Sequence, residues 1–182
     1  MPLTFNPLIL LTFASAGFTL KVADVWGERK KGLPAYGASA AAAFLFWLLL
    51  QTDGSTATLM VAVVLGSLAS LKVDRLNLVF GLAFLAALSA GLGFQHPKPV
   101  LLAALTALGF LDEKLHDHWG SRGGTAFWFF RLRGLMKVGA VSLGLTGQLT
   151  VFSVAGFMVF DSCYDLSSLL PAGRVPELSR RP

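Results

Sequence analysis

Five stretches of the chain, residues 2–20, 32–52, 54–71, 76–95 and 138–160, carry no Asp, Glu, Lys or Arg at all. Each approaches or exceeds the ~18 to 20 apolar residues that cross a hydrocarbon core. They are rich in Leu, Ala, Gly and Phe and lack the period-2 alternation of a membrane barrel, so in lipid their backbone groups must be satisfied within helices. The pattern predicts an all-α fold, a polytopic integral membrane bundle. A first helix is expected over 5–22, and a second over 35–51 after the breaker Gly32-Leu33-Pro34. A turn at Thr52-Asp53-Gly54-Ser55 leads to a third helix ending near 73. The fourth runs from about 76 to 93, and His96-Pro97-Lys98-Pro99 opens a fifth that ends near 119.

The last third reads in two ways. Residues 138–160 form one crossing, giving six helices, or break around Gly144-Leu145-Thr146-Gly147-Gln148, giving about seven. In the seven-helix reading the sixth starts near Phe127 and the seventh spans 149–170, so residues 1–170 make one transmembrane domain followed by a mobile polar tail, 171–182. Charge favours this reading. Of the 15 Lys and Arg residues, all but Lys98 then fall on one side, which places the N-terminus outside and the C-terminus in the cytosol. The apolar N-terminal run has no basic leader or cleavage site and is read as a spanning helix of a multi-pass plasma-membrane protein.

Composition agrees with that pattern: 54% of residues are hydrophobic and 14% charged, and the mean hydropathy is +0.66. The pI of about 9.7 follows from basic cytosolic loops and calls for no nucleic acid. The lone Cys163 excludes an internal disulfide and reads as a packing residue.

All of the 10 acidic residues except Asp53 and Glu177 fall at the inner ends of the first, third, fifth and seventh helices, which run parallel. Asp24/Glu28, Asp112/His116, Glu113/Asp117 and Asp161/Asp165 are spaced i,i+4, one turn apart on a common face. Ala16-Gly17-Phe18, Gly109-Phe110 and Ala155-Gly156-Phe157 precede these acids, which suggests a helical-hairpin repeat with close helix approach at the glycines. At a rise of 1.5 Å per residue, Asp112 and Asp161 lie roughly 18 to 20 Å from the outer starts of their helices, still within the core. Carboxylates at that depth are functional candidates by default.

The chemistry expected of them is binding of a hard divalent cation, Mg²⁺ or Mn²⁺, by Asp112, Glu113, Asp117, Asp161 and Asp165. Asp24, Glu28, Asp74, Lys72 and Tyr164 would surround the reacting group, and Lys30, Arg131 and Arg133 would hold phosphate. The function this points to is a metal-dependent enzyme acting on a lipid or prenyl phosphate. A cation- or proton-coupled transporter using the same acids, and an accessory subunit held by interfacial pairs such as Lys21–Asp24, Lys72–Asp74 and Lys114–Asp117, are the alternatives. Zinc is disfavoured, because His116 and His118 point to different helix faces. Phe127-Trp128-Phe129-Phe130 reads as an interfacial aromatic belt.

Two short likenesses bear on this. Asp161-x-x-x-Asp165 resembles half of the aspartate-rich motifs of membrane prenyltransferases, which bind Mg²⁺ and diphosphate, but the companion motif is missing. Val73-Asp74-Arg75-Leu76-Asn77-Leu78-Val79-Phe80-Gly81 is similar to a stretch of the CDP-archaeol synthase family, whose Gly-Asp-rich nucleotide segments have no counterpart here.

Overall fold

The computed structural model describes residues 7–29, 32–119 and 134–167. These residues form seven helices and no strand: α1 Pro7–Glu28, α2 Leu33–Leu50, α3 Gly54–Ala69, α4 Leu76–Leu92, α5 Pro99–Trp119, α6 Gly134–Leu145 and α7 Val151–Ser167. The all-α expectation holds. By length and composition α1 and α2 could each cross a membrane, whereas α3, α4 and α6 are apolar but shorter.

Local chemistry sets the boundaries. Pro34 lies in the first turn of α2, where its missing N–H costs nothing. Asp53 caps α3, its carboxylate accepting from Ser55 N at 2.7 Å and Thr56 N at 3.1 Å. The segment 138–160 is two helices, so the six-helix alternative is set aside. The chain reverses at residues 146–150, where Gly147 takes φ +73° and the Gln148 amide donates to Leu143 O at 2.9 Å. Helix α1 extends to Glu28, well past the expected end at 22, and α3 stops at Ala69, short of 73. The proposed helix start near Phe127, the loop at 120–124, the aromatic belt and the tail lie outside the described residues.

Helices α1, α3, α5 and α7 run one way and α2, α4 and α6 the other. The α2–α3, α4–α5 and α6–α7 connections meet at one end, where Lys98 N donates to Thr58 Oγ1 at 2.9 Å and Lys98 Nζ reaches the Gln148 carbonyl. We call this the Lys98 end and the opposite one the charged end. Small residues fix which helices touch. A Cβ at Gly17 of α1 would overlap the Phe160 carbonyl of α7, and one at Gly156 would overlap the Phe13 ring. Gly66 of α3 lies against Gly109 of α5, where an added Cβ would sit 3.3 Å from backbone carbon. The glycines of the proposed repeat thus do mark close approaches, α1 to α7 and α3 to α5.

The arrangement departs from a simple run of hairpins on both sides of α4. Helices joined by short loops usually pack on each other, and α1 with α2, and α6 with both α5 and α7, do so. The consecutive pairs α3–α4 and α4–α5 do not: α3 packs on α5, and α4 packs chiefly on α2. Buried Asn77 anchors α4 by donating to Ala23 O of α1 at 2.9 Å and to Ser39 Oγ of α2 at 3.0 Å. At the other end Gly93 O accepts from Gln51 Nε2 at 2.6 Å and Trp47 Nε1 at 3.2 Å. The core lies about one and a half turns in from the Lys98 end, where Phe13, Leu59, Met60, Leu105 and Phe157 come from four helices.

Candidate functional site

Because α3 and α4 splay, a cavity of about 540 Å³ opens between them, floored by α1 and α2 and reached by side chains of α5 and α7. It is amphiphilic along its length. Its inner wall is Ala42, Ala43 and Phe46 of α2, Val63 and Val64 of α3, and Leu82 and Leu85 of α4. Its mouth at the charged end is lined by Lys21, Asp24, Glu28, Lys72, Asp74, Arg75, Glu113, His116 and Tyr164. The volume falls in the range of small-molecule sites, ~300 to 1,000 Å³.

At the mouth, opposite charges are already paired. Lys21 Nζ lies 3.1 Å from Asp24 Oδ2 and 4.9 Å above the Tyr164 ring. Arg75 reaches Glu28 at 3.1 Å and Asp74 at 3.5 Å, and Lys72 lies 3.9 Å from Glu113. Among the described residues four carboxylates therefore meet three Lys and Arg side chains, an excess of one carboxylate. His116 Nδ1 is buried and has no hydrogen-bond partner among the described residues.

Behind this lies a second space of about 90 Å³, with Glu113 and Tyr164 lining both. Asp112 and Asp161 face the smaller one. Asp112 is 1% exposed, and its two oxygens accept from Leu135 N at 2.9 Å and Met136 N at 2.7 Å. It caps the N-terminus of α6 from another helix, where a negative charge faces unsatisfied amides and the positive end of the dipole. Asp161 lies 2.5 Å from Lys137 Nζ, and Asp165 3.9 Å from the same nitrogen.

The structure thus gathers Asp24, Glu28, Asp74, Lys72, Tyr164 and Glu113 around one cavity and sets Asp112, Asp161 and Asp165 apart around the start of α6. Asp117 lies on α5, with its side chain outside the description, and Lys30, Arg131 and Arg133 fall outside the described residues. No three His, Cys, Asp or Glu side chains among the described residues converge closely enough to hold a metal ion. The oxygen donors at the mouth suit a hard cation in kind, but their charge is engaged by lysine and arginine.

Sequence reasoning passed over three contributors. Arg75 reads from sequence only as an orientation signal, yet it bridges α1 and α4. His116 enters the sequence reading as the i,i+4 neighbour of Asp112 and as a disfavoured zinc ligand, whereas in the fold it lines the cavity with Glu113, three residues before it. Asn77 gives no sequence signal beyond being a polar residue at the start of an apolar run. Comparison of the chain with protein-family models, with curated proteins and with solved structures gave no match in any of the three.

Proposed function

We propose that this chain is a multi-pass membrane protein, oriented with its charged end toward the cytosol, that takes a lipid or prenyl phosphate into the α3–α4 cavity and acts on it with a divalent cation. The observation that carries this is the cavity itself, with charge of both signs at one end and aliphatic walls beyond.

Immersion in lipid is supported by what faces outward. Leu11, Phe18, Phe44, Leu65, Phe80, Phe84, Leu111 and Val141 are exposed on six of the helices, while Ser39, Thr56, Thr58, Asn77 and Ser153 are buried between them. A soluble monomer rarely shows so much apolar surface, whereas small and hydroxylated residues between helices are usual in membrane bundles.

The charge balance supports a cation alongside the phosphate. A phosphate monoester adds negative charge to a mouth whose described carboxylates already outnumber its Lys and Arg by one, which favours Mg²⁺ or Mn²⁺ alongside it. In this reading Lys72 and Arg75 would turn from Glu113 and Glu28 to the phosphate, the released carboxylates would hold the metal, and the metal would supply charge stabilisation at the phosphoryl oxygens. His116 stands beside them as a proton carrier.

The transporter alternative would need a polar path across the apolar layer of Phe13, Leu59, Met60, Leu105 and Phe157, and none is seen among the described residues. The accessory-subunit alternative draws on the ion pairs at the charged end. Calorimetry of a short-chain phosphatidate in detergent, with and without Mg²⁺ or Mn²⁺, tests the proposal. It expects cation-dependent binding that falls at least tenfold in Arg75→Ala and Glu113→Gln. Binding indifferent to the cation and to both substitutions, or no binding, would refute it and leave the ion pairs as scaffold.

A further inference from the structure

We infer that the ligand of this cavity is a membrane-resident amphiphile that enters sideways, through the slot between α3 and α4, with Lys72 and Arg75 as its threshold. The inference rests on the lipid-phosphate reading of the same cavity and adds the route and the physical form of the ligand.

Three independent observations lead to it. First, α3 and α4 are joined only by the six residues 70–75 and yet do not pack together. Their facing side chains, Val64 and Ser67 on one side and Leu78 and Leu82 on the other, line the cavity instead of filling the space between the helices. Second, α4 is held from behind. Asn77 and Arg75 tie its start to α1 and α2, Gly93 ties its end to α2, and its outward face of Val79, Phe80 and Phe84 is exposed. Among the described residues the slot is therefore already present, with no helix displacement needed to form it.

Third, the link across the slot carries the structure's only described non-glycine residue with positive φ. Leu71, at φ +61°, is 80% exposed and borders the cavity. A left-handed leucine is disfavoured by Cβ crowding and persists where surroundings impose it. Here it turns the chain abruptly out of α3 and sets Lys72 at the cavity mouth, 3.9 Å from Glu113.

The dimensions suit an acyl or prenyl chain. From Arg75 to Leu85 the cavity follows α4 for ten residues, about 15 Å at 1.5 Å per residue. That is roughly half the thickness of a hydrocarbon core. A lipid standing in one leaflet has its phosphate at the level of Lys72 and Arg75 and its chain at the level of Leu82 and Leu85, so sliding between α3 and α4 requires no withdrawal of the chain into water. A water-borne metabolite would leave the aliphatic wall unused.

The test bridges the slot. Ser67→Cys/Leu78→Cys, in a Cys163→Ser background, is reconstituted in nanodiscs containing phosphatidate with a photoactivatable diazirine in its acyl chain. Labelling of cavity peptides carrying residues 63–64 and 82–85 is read by mass spectrometry before and after a bis-maleimide joins the two thiols. Calorimetry of glycerol phosphate with Mg²⁺ reports the mouth separately. The same reagent on Val79→Cys/Ala83→Cys, one turn apart on the outer face of α4, controls for modification itself. The expected result is cavity labelling that falls at least fivefold on bridging the slot and is unchanged in the control, while glycerol phosphate still binds. Labelling undiminished by the bridge would overturn sideways access and leave the lipid-phosphate reading standing. No cavity labelling and no glycerol phosphate binding before bridging would overturn both.

Discussion

Substitution of Asp112 separates a helix cap from a metal ligand. Its carboxylate accepts two backbone N–H groups at the start of α6, at 2.9 and 2.7 Å, and is 1% exposed. In Asp112→Ala both donors lose their acceptor at a largely buried site. At ~1 to 3 kcal/mol for each buried donor left unmade, offset in part by local fraying, the cost is about 2 to 4 kcal/mol. Asp112→Asn keeps one acceptor and removes the charge from the helix N-terminus, for about 1 to 2 kcal/mol. Equilibrium unfolding in mixed micelles, with hydrogen exchange at the Leu135 and Met136 amides, reads both. The expected order is wild type, then Asn, then Ala, with exchange accelerating locally at the start of α6 and phosphatidate binding at the mouth retained. Wild-type stability and exchange in Asp112→Asn, combined with loss of Mn²⁺ binding, would refute the cap and return Asp112 to the metal set.

Two further substitutions probe the scaffold. Lys137→Met leaves the Asp161 carboxylate, 6% exposed, without the cation now 2.5 Å away, and should cost about 3 to 5 kcal/mol. Lys137→Met/Asp161→Leu should recover most of that in the same unfolding assay, and strictly additive effects would mean that the pair is not coupled. Asn77→Leu removes two interhelical hydrogen bonds, worth roughly 0.6 kcal/mol each on the average for helical membrane proteins. It should lower stability by only about 1 kcal/mol while speeding exchange across the first turn of α4; unchanged exchange there would show that α4 is held by other contacts.

The spans of the helices were legible because apolar runs and breakers are local signals. Asp53 before Gly54-Ser55-Thr56 and Pro34 before an alanine run mark helix starts in the sequence as they do in the fold. The two turns that lengthen α1 were hidden because Lys21, Asp24 and Glu28 look like the end of an apolar span. In the fold Lys21 lies over Tyr164 and beside Asp24, and Glu28 meets Arg75, so charge continues the helix. Gly17, Gly109 and Gly156 could be read as points of close approach, but their partners could not. Gly66 meeting Gly109 is a three-dimensional match between α3 and α5, and it draws α3 away from α4. The i,i+4 spacing likewise gave the faces of the acids without their countercharges, which come from elements distant in sequence, Lys72 for Glu113 and Lys137 for Asp161.

Those countercharges change what the acidic residues can do. A carboxylate cluster kept open for a cation would be paired with nothing, and its mutual repulsion would have to be borne by the fold. Here each carboxylate described at the mouth lies beside a cation that is itself a suitable phosphate ligand. On the proposed function, metal and phosphate would be linked through the pairs that each breaks: phosphate drawing Lys72 and Arg75 away would expose carboxylate charge to the metal, and metal on the carboxylates would free the same two side chains for phosphate. Linkage of this kind is reciprocal, so Mg²⁺ should tighten phosphate binding by the same factor by which phosphate tightens Mg²⁺ binding. On the proposed function, a mouth assembled from ion pairs would accommodate neither ligand well alone, staying closed to free Mg²⁺ until a phosphate arrived between α3 and α4.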